Sequence, residues 1–210
     1  ASSFLDLAQK AGGKNMALLA ADQEFAQNLA LTARDVAKQR NIPIVFDQNY
    51  PPNTVEFSSI IRALKAAKPD IVYVASYPPD SAGILRAVNE IGIGDNVKIF
   101  GGGMVGLQFA AVMSNLGSLL NGVTNYNTWL PEKSMYFDGT KAFFDVYTKR
   151  AVEAKVDPLG YYLAPFGYAM GQMVEAAVNA TKSLDQKGLA KYLRDNEHKT
   201  IVGPIAFSAD

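Results

Sequence analysis

The 210-residue chain is 49% hydrophobic and 19% charged, with twenty basic residues against twenty acidic ones. That is enough for one sizeable α/β domain or two small lobes, and the balanced charge gives no general electrostatic reason to bind nucleic acid or an anionic membrane. With no cysteine, one histidine (His198, in DNEHKT) and no HExxH, the chain lacks the residues for disulfides, zinc–thiolate sites or ordinary hydrolase triads.

In chain order, ASSFLDLAQK has neither the basic start nor the apolar core of a signal peptide. It reads as a helix with Ser2 or Ser3 near its N-cap, so the chain is expected to begin inside a fold. KNMALLAA (14–21) is an apolar strand, after which Asp22 is placed to cap a helix over about 23–40. IPIVFDQNY (42–50) is the second strand, followed by a PPNT turn and a helix at about 55–67. DIVYVAS (70–76) is the third, and PPD opens a helix that runs to about 92. VKIF (97–100) is the fourth strand, with a glycine loop and a helix at 107–116 after it, and GVTNYN (122–127) is the fifth. Strands that are apolar along most of their length, alternating with helices, predict a doubly wound parallel sheet covered on both faces. Such sheets bind ligands outside the carboxyl ends of the strands, so residues 22–25, 76–80 and 101–106 converge on one rim.

After WLPE (129–132) the alternation stops. Helices are expected over 137–154, about 162–182 and 185–196, with one short strand at 200–207. Met170, Met173, Val174 and Val178 form a stripe at helical spacing and read as a core face. Three helices and a strand cannot complete a sheet, so this part needs further strands to pack on. His198, at a polar helix end, reads as a solvated loop residue, and no apolar run approaches the roughly twenty residues that span a bilayer.

VKIFGGGMVGL spells G-x-G-x-x-G through Gly101, Gly103 and Gly106. A dinucleotide fingerprint belongs to the first βαβ unit and needs an acid about twenty residues further on, at the end of the next strand. Here the spelling follows the fourth strand, and GVTNYN carries no acid. No nicotinamide or flavin cofactor is expected.

The strand–helix series, DIVYVASYPPDSAGILRAV, FGGGMVG and TIVGPIAF together resemble the leucine/isoleucine/valine-binding family of type I periplasmic solute-binding proteins, which feed ABC importers. The resemblance covers nearly the whole chain. It implies an α/β fold of the type I periplasmic binding class, a doubly wound parallel-sheet lobe plus part of a second α/β lobe. Residues 1–127 would be the second ligand-binding lobe, 128–136 an inter-lobe crossover, and 137–210 the returning part of the first lobe. The family's N-terminal half-lobe would lie outside this chain. The resemblance further implies a periplasmic or extracytoplasmic receptor that is not an enzyme and carries no cofactor or metal. Its partners would be a small molecule trapped between the lobes and the importer's membrane permease, with no nucleic acid and no insertion into the membrane.

Carried over residue by residue, the resemblance makes Phe25, Tyr77, Gly103, Met104 and Tyr126 the candidate ligand-binding residues. Phe25 stands where the family often has an aromatic at the helix start, commonly Tyr followed by Gly; Phe25-Ala26 loses that hydroxyl. Tyr77 matches an aromatic facing the cleft from the end of the third strand. Met104 is taken to line the cleft, and Tyr126 lies beside the crossing. Gly103 falls where amino-acid binders carry an acid for the ligand ammonium, and a buried ammonium without a charge partner is costly. An apolar or aromatic carboxylate is therefore expected ahead of a hydrophobic amino acid, although Asp22, Glu24 or Asp80 could reach an ammonium. Trp129 reads as a hinge anchor, and Tyr161 and Tyr162 as packing between helices. Two other readings stay open: a ligand-sensing domain of a regulator or receptor with the same fold, and a nucleotide-dependent Rossmann-type enzyme. The enzyme reading lacks an acid–base pair beyond surface carboxylates such as Asp80.

Overall fold

Three runs of six residues, each buried from end to end, form the middle strands of the parallel sheet. The computed structural model describes residues 1–208 and divides into two units, Ala1–Tyr126 and the part from Asn127 on. The first unit runs α1 (Ser2–Lys10), β1 (Met16–Ala21), α2 (Glu24–Gln39), β2 (Ile44–Tyr50), α3 (Ser58–Ala66), β3 (Ile71–Ser76), α4 (Pro78–Ile91), β4 (Ile99–Met104), α5 (Ala110–Leu116) and β5 (Val123–Asn125). The strands are parallel, in the order β2-β1-β3-β4-β5. β1, β3 and β4 are buried end to end, as strands covered on both faces must be, whereas the edge strand β2 alternates. On α2, Ala26, Ala30, Ala33 and Ala37 repeat at three- and four-residue spacing and are fully buried, so small side chains bring that helix close to the sheet. Leu18, Leu19, Ile61, Leu64, Ile84 and Leu85 fill the space between layers. Truncating one of them to Ala costs about 2–5 kcal/mol in a core of this kind.

The glycine loop is not a loop. β4 takes in Gly101, Gly102 and Gly103 and pairs with β3 through Tyr73↔Gly101, Val74↔Gly102 and Ala75↔Gly103. Gly102 has φ +102, and a Cβ on it would lie 2.6 Å from the ring of Tyr73. The buried tyrosine fills the volume that the glycines vacate and packs edge-on against Phe4, with 5.4 Å between ring centroids. Tertiary packing thus overrides the turn preference of the glycine run. The run is strand interior and forms no phosphate-cradling turn at a helix N-terminus.

Two helix starts also differ from expectation. α2 begins at Glu24 without a side-chain cap from Asp22; instead the Gln27 amide reaches back to the Ala21 carbonyl at 2.7 Å. α3 begins at Ser58, whose N–H donates to the Glu56 carboxylate at 2.7 Å.

The second unit holds α6 (Thr140–Glu153), α7 (Ala164–Thr181), α8 (Gln186–Asp195), β6 (His198–Thr200) and β7 (Gly203–Ile205). The single strand expected at 200–207 is instead an antiparallel hairpin, β6 on β7. The Thr200 hydroxyl closes it, accepting from the Val202 N–H at 3.2 Å and donating to the Gly203 carbonyl at 2.7 Å. This hairpin buries His198, which is not a solvated loop residue. A ring nitrogen lies 2.9 Å from the Leu193 carbonyl, and Tyr192 and Phe207 pack against the ring. Trp129 is buried and stacks on Phe144 at 4.3 Å, with Tyr136 and Tyr161 beside it. The methionine stripe splits: Met173 is buried with Ala169 and Ala177, while Met170 and Val174 are exposed. No helix among the described residues is long and apolar enough to cross a membrane.

Candidate functional site

The carboxyl ends of β1, β3, β4 and β5 form one rim of the first unit. Strand β3 ends at Ser76, so Tyr77 is the N-cap of α4 and stands half-buried at the sheet edge, followed by Pro78 and Pro79 in the first turn. The prolines preset the helical backbone but remove two N–H donors, which makes this helix end a poor seat for an anion. Phe25, in the first turn of α2, is 44% exposed and meets Tyr77 edge-on, with 6.3 Å between ring centroids and 63° between planes. Tyr126 follows β5, is 38% exposed, and is tied to the sheet by its N–H on the Gly102 carbonyl at 3.3 Å. Burial raises its phenol above the ordinary value, and it raises Tyr73 to about 12, with Tyr126 as a second, coulombic cause.

Phe25, Tyr77 and Tyr126 therefore present surface at the rim, whereas Gly103 and Met104 do not. Gly103 lies inside β4, where a Cβ would sit 2.9 Å from Leu29 and 3.3 Å from the Tyr73 hydroxyl. Gly103 itself brings no side chain to the rim. The position of β4 level with Ser76 is Met104, and it is fully buried in the core. The fourth strand continues four residues further than its sequence suggests, which moves both residues below the surface. Val105 takes their place at the rim, half-buried after Met104.

Beneath the rim is a set of polar contacts that pattern reading missed. Asp80 is not a surface carboxylate: it is buried in the first turn of α4 and accepts from the Tyr50 hydroxyl at 3.2 Å. Burial first, and then the Asp80 charge, push the Tyr50 phenol well above its usual range. The Ser76 and Ser81 hydroxyls share a hydrogen bond of 2.8 Å, and Ser81 donates to the Val105 carbonyl at 2.9 Å. The Asn125 carboxamide bonds both the N–H and the C=O of Met104. Each strand end is thus held by a side chain from a neighbouring element. The one available signal was a run of small polar residues at strand ends, which turn chemistry also explains. Of the acids named for an ammonium, Asp80 is committed to Tyr50, leaving exposed Asp22 and Glu24. The described residues contain no cluster of His and acidic side chains able to hold a metal.

The parallel five-stranded sheet, in the order β2-β1-β3-β4-β5, is a doubly wound α/β arrangement, and solved structures of type I periplasmic binding proteins share the fold. A leucine binding protein from Thermotoga maritima has a TM-score of 0.80 at 18% identity, over 99% of this chain and 57% of that one. A solute binding protein of an ABC transporter from R. palustris, solved in complex with benzoate, has a TM-score of 0.75 at 19% identity, over 97% of this chain and 54% of that one. A Leu/Ile/Val-binding protein from Citrobacter freundii is 28% identical over 204 residues, 97% of this chain and 52% of that protein. The family model described as periplasmic binding protein matches residues 1–210, and the chain belongs to that family. It spans about half the length of the curated relatives it matches.

Proposed function

We propose that this chain is part of an extracytoplasmic solute-binding receptor of an ABC importer, and that the rim of the first unit is one wall of its ligand site. Residues 1–126 then act as the second lobe, and the residues that follow act as the crossover and the returning part of the first. The receptor is not an enzyme: it closes on its ligand, and the closed form is presented to the membrane permease. Ligand contact with both lobes shifts the population toward the closed state.

One observation carries the choice of ligand. The Phe25–Tyr77 pair gives the rim an aromatic wall, and the ends of β3 and β4 beside it expose no charge: Met104 is apolar and buried, and Asp80 is buried on the Tyr50 hydroxyl, which leaves Asp22 and Glu24 after β1 as the exposed acids. Such a wall takes an aromatic ring or a short aliphatic chain, with polar groups fixing orientation. The ligand is an apolar or aromatic carboxylate whose charge is held by the opposite lobe, ahead of a hydrophobic amino acid. The test is a paired calorimetric titration of the complete protein with leucine and phenylalanine and with their deaminated acids. Tighter binding of the acids is expected. Tighter binding of the amino acids overturns the ligand class and points to Asp22 or Glu24. No saturable binding of either overturns the receptor reading.

A further inference from the structure

Strand β5 stops at Asn125, but β4 runs on. Gly102 pairs with Asn125, and its carbonyl accepts from the Tyr126 N–H. In a parallel ladder every second residue faces the same neighbour, so Met104 is the next residue of β4 to turn its N–H and C=O toward β5. The strand has ended there. The Asn125 side chain takes its place, with Oδ1 accepting from the Met104 N–H at 3.0 Å and Nδ2 donating to the Met104 carbonyl at 2.6 Å. A carboxamide offers the same donor and acceptor as a peptide group, so it adds one rung after the main chain has left the sheet. On the other side, the Val105 N–H donates to the Ser76 carbonyl at 3.0 Å, and Ser81 holds the Val105 carbonyl. The turn after Met104 is thus fastened on one side to the elements that carry Tyr77. On the other it is fastened to the residue before Tyr126.

We infer that Asn125 is the positioning residue of the rim: its carboxamide fixes the end of β4 and, through it, the placement of Tyr126 relative to Tyr77. As a statement about ligand affinity this rests on the rim being the ligand wall, as proposed above.

Asn125→Asp tests it with almost no change of shape. A carboxylate still accepts from the Met104 N–H but has nothing to donate to the carbonyl, whereas the neutral acid restores both bonds. Tyr126 and Tyr73 are phenols held above their ordinary value and do not titrate in the range used. Asp22 and Glu24 are common to both proteins, so the native protein at each pH is the reference. In the complete protein, 3-phenylpropanoate and phenylalanine are titrated at about pH 8 and about pH 4.5, either side of any moderately raised Asp carboxyl. Asn125→Asp should bind the preferred probe about tenfold more weakly than native at the higher pH, and the gap should close in acid. Asn125→Ala should be weaker at both. Native-like affinity of Asn125→Asp and Asn125→Ala at both pH values overturns the inference while leaving the rim as the site. If the native protein binds neither probe, the ligand reading has failed. Amide hydrogen exchange over residues 101–109 then decides the clasp. Faster exchange than native in Asn125→Asp at neutral pH, restored in acid, supports it; unchanged protection overturns it.

Discussion

Tyr50 ends the edge strand and Asp80 opens a helix two strands away, yet they meet in the buried layer under the rim. Removing the hydroxyl with Tyr50→Phe leaves a buried carboxylate oxygen without its donor and should cost about 1.5–3 kcal/mol, read from urea unfolding. The pH dependence has a definite sign. Tyr50 and Tyr73 both have folded-state pKa values raised above the ordinary 10. Between those values the unfolded chain has lost the proton and the folded chain has kept it. Their contribution to stability is therefore fully present below about pH 10 and is lost as pH rises through the raised values. Melting temperature should fall steeply above pH 10, and less steeply in Tyr50→Phe and Tyr73→Phe; equal slopes would remove these phenols from the account. At the rim, Tyr77→Ala should keep the circular dichroism spectrum. It should lose about tenfold or more in ligand affinity, roughly 1.4 kcal/mol, as an aromatic contact residue does.

At the scale of elements, β4 depends on a partner for its missing side chains. Gly102 needs both its positive φ and its lack of a Cβ, because Tyr73 occupies the space. Gly102→Ala should therefore cost about 2 kcal/mol or more, combining backbone strain with overpacking. Gly12 is the control: its φ is +86, and a Cβ there meets nothing within 4 Å. Gly12→Ala carries the backbone cost without the collision and should lower the urea midpoint by distinctly less. Equal losses would mean that Tyr73 yields and that its packing against Gly102 contributes little. The bidentate Arg34–Asp47 pair between α2 and β2 is partly exposed, with both bonds at 2.8 Å, and pairs of that kind contribute about 0.2–1 kcal/mol. The fold is held by the apolar layers far more than by that pair.

Across the whole molecule the two units differ in how their apolar surface is covered. The main core cluster lies within residues 4–116 and closes around the five-stranded sheet. In the second unit α6 and α7 leave Val146, Tyr168, Met170 and Val174 exposed, and its sheet is one short hairpin. Exposed apolar residues grouped on neighbouring helices are an association or aggregation surface when nothing covers them. Residues 1–126 expressed alone should unfold in one cooperative urea transition, whereas the part from 127 on should bind a hydrophobic dye and lack one. A sharp transition in the second part would show that its aromatic cluster around Trp129 suffices as a core.

The sequence by itself determined the parallel α/β lobe, because uninterrupted apolar runs between amphipathic helices have few other ways to be buried. It also placed Phe25, Tyr77 and Tyr126 at strand or helix ends, which a regular βα alternation brings to one rim. Local pattern could not show where β4 ends. Three glycines carry a turn preference, and the opposing signal is a tyrosine ring twenty-nine residues earlier in the chain, visible only once β3 and β4 are paired. That pairing buried Gly103 and Met104. The same limit hid Asp80, His198 and Asn125, whose side chains look solvent-bound in sequence. Each has a partner supplied by tertiary structure, because a buried polar group must find its hydrogen bonds wherever the fold places a donor or acceptor.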